Sequence, residues 1–188
     1  AVLRDVSAAI AKSLSIEELC QALTLRYESM ELDLPFVLFY QLNGNTLQRK
    51  GVAGVSSDSR MAPQSVELDN FELNIELKNT EGWPFEKLMQ SLAITEVNDL
   101  QTRFGSEPSG PYPEAPTSAL MLPIMVVGSE RPFGFLIAGV SARRALDAEY
   151  SDFYALLSNA VSTAVANVVA YQHEQRKAEE LAEIDRAK

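Results

Sequence analysis

Apolar and polar residues alternate along this chain in several distinct rhythms, and each change of rhythm marks an element. In "LRDVSAAIAKSL" the residues Leu3, Val6, Ala9, Ile10 and Leu14 recur at helical spacing. Ser15 followed by Glu18 is a capping box, which starts a second helix through "IEELCQALTLRYESM". In "PFVLFYQLNGNTLQRKGVAGV" two β-rich runs flank Asn43–Gly44. They predict a hairpin on a type I′ turn, which needs positive φ at both central positions. From Ser56 to Thr80 the pattern is irregular and acidic. "WPFEKLMQSL" predicts a short helix with Pro84 in its first turn, and "AITEV" a short strand. "SEPSGPYPEAP" holds four of the nine prolines and is a loop. "SALMLPIMVVG" and "FGFLIAGVS" are almost continuously apolar, as expected of central strands covered on both faces. Asp147 is an N-cap, and the helix that follows runs from Ala148 to Lys188 without a break. This order gives an α/β domain with a mainly antiparallel sheet and no internal repeat.

The last helix carries its apolar residues in adjacent columns: Leu156/Leu157, Ala160/Val161, Ala164/Val165 and Val168/Val169. That stripe is wider than one sheet face requires. One column is expected on the sheet and the other against a second helix, from the N-terminal segment or from another chain. Past Tyr171 the stripe thins to Ala170, Glu174, Lys177, Leu181, Ile184 and Lys188, a weak coiled-coil seam. Alone, such a segment is hardly stable as a helix. The pattern therefore divides the chain into a domain over residues 1–171 and a connecting helix over 172–188. Leu157, Val161, Ala164, Val168, Leu181 and Ile184 are the expected dimer and signal-helix positions.

Composition narrows the partners. The 188 residues, 46% hydrophobic, suffice for one domain with its own core. A net charge of −10 with scattered Lys and Arg disfavours nucleic acid and anionic membrane surfaces. The single Cys forms no intrachain disulfide and suits a reducing compartment. No uninterrupted apolar run reaches the length of a membrane span, so a cytoplasmic, soluble domain without membrane insertion is expected. The chain starts at Ala1 without an initiator Met, as a piece of a longer protein would.

Reactive chemistry is sparse. Cys20 sits between Leu19 and Leu23 on a helix and is expected to be structural. His173, the only histidine, lies on a polar helix face. No His/Cys cluster has metal spacing, and the glycines of "GVAGV" and "GFLIAG" form neither a phosphate loop nor a dinucleotide fingerprint. Asp147, Glu149 and Asp152 are explained by helix capping and dipole complementarity. Arg143 and Arg144 are surface cations within reach of a partner subunit. No catalytic or metal-binding residue is assigned.

The stretches "GWPFEKLMQSLAITEVNDL" and "PTSALMLPIMVVGSERPFGFLIAGVSARRALDAEYSDFYALLSNAVSTAVANVVAYQ", with the helical tail, resemble a GAF domain. "GVSARRALDAEYSDF" is similar to the GAF domains that precede the kinase core of bacterial multidomain sensor histidine kinases. The resemblance implies a six-stranded antiparallel sheet with the terminal helices on one face. Small helices and loops would enclose a ligand pocket on the other. Phe39, Phe71, Trp83, Phe85, Thr95, Asn98, Phe104, Tyr112 and Ser118 fall in segments that face that pocket in the family, and loop 106–116 is either its lid or a surface connection. No cofactor is identified, and a small-molecule ligand is left unnamed. Covalent bilin is disfavoured because no Cys follows Cys20, and haem because His173 is on the tail. "LAEIDRAK" resembles the helix leading into a kinase dimerisation helix. The implied role is a sensing and homodimerising module that relays to a kinase core in the same chain. The alternatives are a passive dimerisation spacer, a regulatory domain of another output such as a transcription activator or nucleotide cyclase, and a stand-alone enzyme.

Overall fold

A computed structural model describes residues 2–68 and 82–187. The chain opens on α1 (Val2–Ala11) and α2 (Ile16–Arg26), which continues into a short 3-10 turn at Tyr27–Ser29. The capping box forms: the Glu18 amide donates to the Ser15 hydroxyl at 3.1 Å, and the Glu18 carboxylate reaches back to the amide of Leu14 at 2.8 Å. Strands β1 (Val37–Asn43), β2 (Thr46–Ala53) and β3 (Ser65–Glu67) follow, then α3 (Phe85–Ser91), β4 (Thr95–Val97) and α4 (Leu100–Phe104). Strands β5 (Ser118–Ile124) and β6 (Gly134–Val140) precede the 40-residue α5 (Ala148–Ala187). The sheet order is β3-β2-β1-β6-β5-β4, with every neighbouring pair antiparallel.

The hairpin is present, but its turn differs from the expected one. Asn43 pairs with Thr46, so the two-residue connection is Gly44–Asn45. Only Gly44, at φ 62°, has positive φ there. Glycine at the first central position with an ordinary second residue is the type II′ pattern, not type I′. Pro84 sits one position earlier than expected, at the N-cap of α3. Strand β3 and helix α4 had no signature strong enough to be read from the pattern.

The two central strands behave as their apolar runs foretold. All seven residues of β6 are buried. In β5, Pro123 pairs with Phe135 of β6, whereas β4 reaches only as far as Met121. The residue without an N–H therefore lies where its strand has no ladder partner on the β4 side.

Alternation divides the sheet into two cores. Val37, Phe39, Leu120, Leu122, Leu136 and Ala138 face α1, α2 and α5. Leu38, Tyr40, Ala119, Met121, Phe135 and Ile137 face α3, α4 and the loops. Helix α5 is fixed at its start by Asp147, whose carboxylate accepts from the Tyr150 amide at 2.8 Å. By length and composition α5 could cross a membrane. Its column Leu157, Val161, Ala164, Val165 and Val168 is instead buried in the helix-side core. Its Leu and Val side chains each contribute roughly 1.5–3 kcal/mol by leaving water.

This burial corrects the interface expectation. Leu157, Val161, Ala164 and Val168 are 0–1% exposed within their own domain, so they are unavailable to a partner. The stripe is wide because α5 meets both the sheet and α1, the N-terminal option among the two foreseen. Leu181 and Ile184, at 65% and 55%, remain exposed.

Candidate functional site

The second face of the sheet collects large aromatic side chains from elements far apart in sequence. Trp83, just before α3, packs on Phe104 at the end of α4 with ring centroids 4.7 Å apart. Phe36, just before β1, lies 6.2 Å from Trp83. Phe85 stands edge-on to Tyr40 at 5.4 Å and tilted to Phe135 at 5.6 Å. Their polar ends are satisfied inside the protein. The Trp83 indole N–H donates to the Met61 carbonyl, and the Tyr40 hydroxyl to the Pro63 carbonyl, each at 2.6 Å. Arg49 on β2 donates to the carbonyls of Ser57 and Ala62 at 2.8 and 2.6 Å, fixing the loop beneath them. Burial pushes the Tyr40 phenol well above its ordinary value, with nearby Arg49 opposing weakly.

Beside this cluster, a cleft of about 430 Å³ opens between α3, β4 and α4. Pro84, Lys87, Thr95, Val97, Asn98 and Arg103 form its walls, with Glu96 and Asp99 at its rim. Arg103 is held in place: its Nε donates to Asp99 Oδ1 at 2.8 Å and its Nη1 to the Gly82 carbonyl at 3.0 Å. The cleft carries two cations and two carboxylates around hydroxyl and amide groups, so its chemistry suits a small polar molecule better than an apolar one.

Six of the expected site residues are drawn together here. Trp83, Phe85 and Phe104 are in the aromatic cluster, and Thr95 and Asn98 line the cleft. Ser118 joins through its hydroxyl, which donates to Asn98 Oδ1 at 3.2 Å. Phe39 does not belong to the site. It lies on the helix side, 6.5 Å from Phe133, because strand alternation puts its neighbours Leu38 and Tyr40 on the other face. Tyr112 is also elsewhere, under the Arg143 guanidinium at 4.1 Å. Phe71 lies outside the described residues.

Several members of the site were missed. Phe36 and Tyr40 were detectable, since parity along "FVLFY" groups them together and apart from Phe39. Met61 and Phe135 carried no distinguishing signal, and Arg103 needed the unforeseen α4.

The remaining candidates have structural roles. Arg143 makes a two-bond pair with Glu114 at 2.9 and 3.0 Å, and Arg144 pairs with Asp33 at 3.2 Å, so both have ion-pair partners within this chain. The hydrogen bond from Arg143 holds the Glu114 carboxyl below its usual range. Loop 106–116 is an anchored connection: the Gly110 amide donates to the Gly54 carbonyl at 2.9 Å, Glu107 pairs with Arg60 at 3.3 Å, and none of the loop lines the cleft. Cys20 is buried against Gly51, and burial raises its thiol to about 12. Among the described residues no group of three His, Cys, Asp or Glu side chains is placed to hold a metal ion.

No protein-family model and no curated protein matches the sequence. Solved structures do. The GAF domain of an Acinetobacter phosphoenolpyruvate-protein phosphotransferase is 17% identical, with a TM-score of 0.60 over 90% of this chain and 93% of that one. A GAF sensor protein from Burkholderia vietnamiensis is 13% identical at 0.60, covering 90% and 89%. Staphylococcus aureus fRMsr in complex with its substrate is 12% identical at 0.58, covering 88% and 94%. The chain has a GAF-like fold. This GAF-like domain keeps its terminal helices on one face of the sheet and its small helices and cleft on the other.

Proposed function

We propose that this GAF-like domain is a cytoplasmic regulatory module. It senses a small molecule in the α3–β4–α4 cleft, pairs with a second copy through α5, and relays changes in helix packing to a histidine-kinase core in the same chain. The observation that carries the reading is on α5. From Phe153 to Gln172 the helix has no charged residue, although 22% of the chain is charged. Its outward positions in that span, including Leu156, Asn159, Thr163, Asn167 and Ala170, are exposed yet neutral. A helix face turned to water usually mixes charged with polar residues, as this helix does from Glu174 onward, whereas here the polar residues come without charge. A neutral face of small residues suits close approach of another helix. The interface is thus shifted from the buried column to the face beside it, with Leu181 and Ile184 extending the contact.

A ligand acts on such a module only through its differential affinity for two packings of the helices. A second reading, a passive dimerisation spacer, is favoured by the aromatic cluster, whose rings fill one another's space without a ligand. Native mass spectrometry of the chain, beside Asn159→Lys and a form ending at Tyr171, tests both. A dimer that Asn159→Lys converts to monomer supports the interface, and an additional small mass per chain supports sensing. A dimer without added mass supports the spacer. A monomer at all concentrations refutes both, and a dimer indifferent to Asn159→Lys refutes pairing through this face of α5. The kinase assignment, rather than a transcription activator or nucleotide cyclase, is tested by the codons after Lys188: a phosphorylatable His followed by an acidic residue within the next helix supports it.

A further inference from the structure

The segment Asp33–Phe36 is where the two cores of the domain are tied together. Phe36 sends its ring into the aromatic cluster beside Trp83. Its carbonyl accepts from the Gly139 amide of β6 at 2.9 Å. The Gly139 carbonyl in turn accepts from the Tyr154 hydroxyl of α5 at 2.6 Å. Tyr150, one turn earlier on α5, donates its hydroxyl to the Asp33 carbonyl and accepts from the Ser141 amide at 2.9 Å. The two tyrosine hydroxyls are 2.8 Å apart. On the α2 side, the Tyr27 hydroxyl donates to the Pro35 carbonyl at 2.6 Å. The Arg144 guanidinium closes the group from outside, 4.5 Å above the Tyr150 ring and paired to Asp33.

Packing around this segment leaves no slack. A Cβ at Gly139 would lie 2.6 Å from the Phe36 ring and 2.9 Å from Pro35, and one at Gly110 would lie 3.0 Å from Pro35. Tyr150 and Tyr154 are 0–1% exposed, so neither hydroxyl can exchange its protein partner for water without α5 moving. Displacement of Phe36 by a change around Trp83 must therefore shift Gly139, and with it the first two turns of α5.

We propose that the Tyr150–Tyr154 hydroxyl pair, closed on Asp33 and Gly139, is the clasp through which the aromatic side of the sheet sets the position of α5. It deepens the regulatory reading above and rests on that reading for its purpose. The clasp itself needs neither ligand nor partner, so loss of the dimer would leave it standing.

A double-mutant cycle tests it in the intact chain. Phe104→Leu disturbs the cluster from the far side of Trp83, outside the clasp, and Trp83, the sole tryptophan, reports the disturbance by its emission. The readout is amide hydrogen exchange over residues 150–157 of α5, taken relative to α1 so that a global loss of stability cancels. In the wild-type background, Phe104→Leu is expected to accelerate exchange there about tenfold relative to α1. In the Tyr150→Phe/Tyr154→Phe background, where ring packing is kept and the hydroxyls are lost, that increment falls below about twofold. Tyr154→Phe alone serves where the double variant does not fold. Equal increments in both backgrounds overturn the clasp, as does a shift of Trp83 emission with α5 and α1 responding alike.

Discussion

The two faces of the sheet are both dry cores, yet they are assembled in opposite ways. The helix side is covered by three continuous helices that each lay down a periodic column, such as Val6 and Ile10, Leu19 and Leu23, or Leu157, Val161 and Val168. Among the described residues, the other side is covered by two helices of seven and five residues and by loops. Large rings gather on that face from strands, short helices and loops alike: Tyr40 and Phe135 from β1 and β6, Phe36 and Trp83 from the segments before β1 and α3, and Phe85 and Phe104 from α3 and α4. The first route buries area by helical repetition, and the second by clustering large rings drawn from many elements. The second route also places the polar cleft and the satisfied indole and phenol groups on the same side as the aromatic rings.

The sharpest way to break this comparison is to truncate one residue from each face. Trp83→Ala is expected to cost about 4 kcal/mol and Leu157→Ala about 3 kcal/mol, read from urea unfolding with unchanged slope. A Trp83→Ala loss well under the Leu157→Ala loss would mean that the aromatic face is loosely filled and not a second core. Gly139→Ala strikes the point shared by both faces. Its methyl group must displace the Phe36 ring, and a loss of about 2–3 kcal/mol is expected, visible at once in Trp83 emission and in α5 helicity.

Alkaline pH gives a more gradual effect that samples both faces. Burial raises Cys20 to about 12, and raises Tyr27, Tyr40 and Tyr154 beyond that. These groups stay protonated in the folded chain while the unfolded chain releases its protons, so the native state holds more protons. Stability is full below the ordinary thiol value of 9.0 and falls as the pH rises toward 12. The decline approaches roughly 1.4 kcal/mol per pH unit for each group once its unfolded form is ionised. Cys20→Ala should delay the onset from near 9.0 to near the tyrosine value of 10.0, seen as a shift in the pH at which urea midpoints begin to drop. An unshifted onset would show that the thiol is not desolvated as α2 and Gly51 require. The smallest expected change is a gain. Leu92 ends α3 at φ 51°, the only positive φ outside glycine among the described residues, and is more than a third exposed. Leu92→Gly should stabilise by up to about 1 kcal/mol, measured by thermal unfolding.

The same contrast explains what could be read from the residues alone. Helices α1, α2 and α5 showed in their spacing, their Ser15/Glu18 and Asp147 caps and their apolar columns, because periodicity is a local property. Strands β5 and β6 showed through length of apolar run. The three-residue β3 and five-residue α4 did not show, since so short a segment holds no full period and is fixed by its neighbours. In the candidate site, Thr95 and Asn98 line the cleft, while Trp83, Phe85 and Phe104 pack in the aromatic core beside it. Phe39 failed on parity: alternation separates it from Phe36 and Tyr40 in the sequence, but which of the two faces carries the site is decided by the packing of the sheet. The α5 column failed as an interface for another reason. Spacing shows that a stripe is apolar, but not whether the chain itself or a second copy covers it. The absence of charge on the adjoining face, by contrast, was visible in the sequence.

Helix α5 continues sixteen residues beyond Tyr171, to Ala187, without a break in its backbone bonding. At about 1.5 Å of rise per residue this is an arm of roughly 24 Å that starts where the domain stops gripping it. Its fulcrum is the buried column ending at Val168, and its other end is the pair of tyrosines in the first two turns. A tilt of about 10° about that fulcrum would carry the far end through about 4 Å, close to one helical pitch of 5.4 Å. Tyr150 and Ala187 lie at nearly equal distances on either side of Val168, so a rigid tilt would move the two ends of the helix by similar amounts in opposite directions.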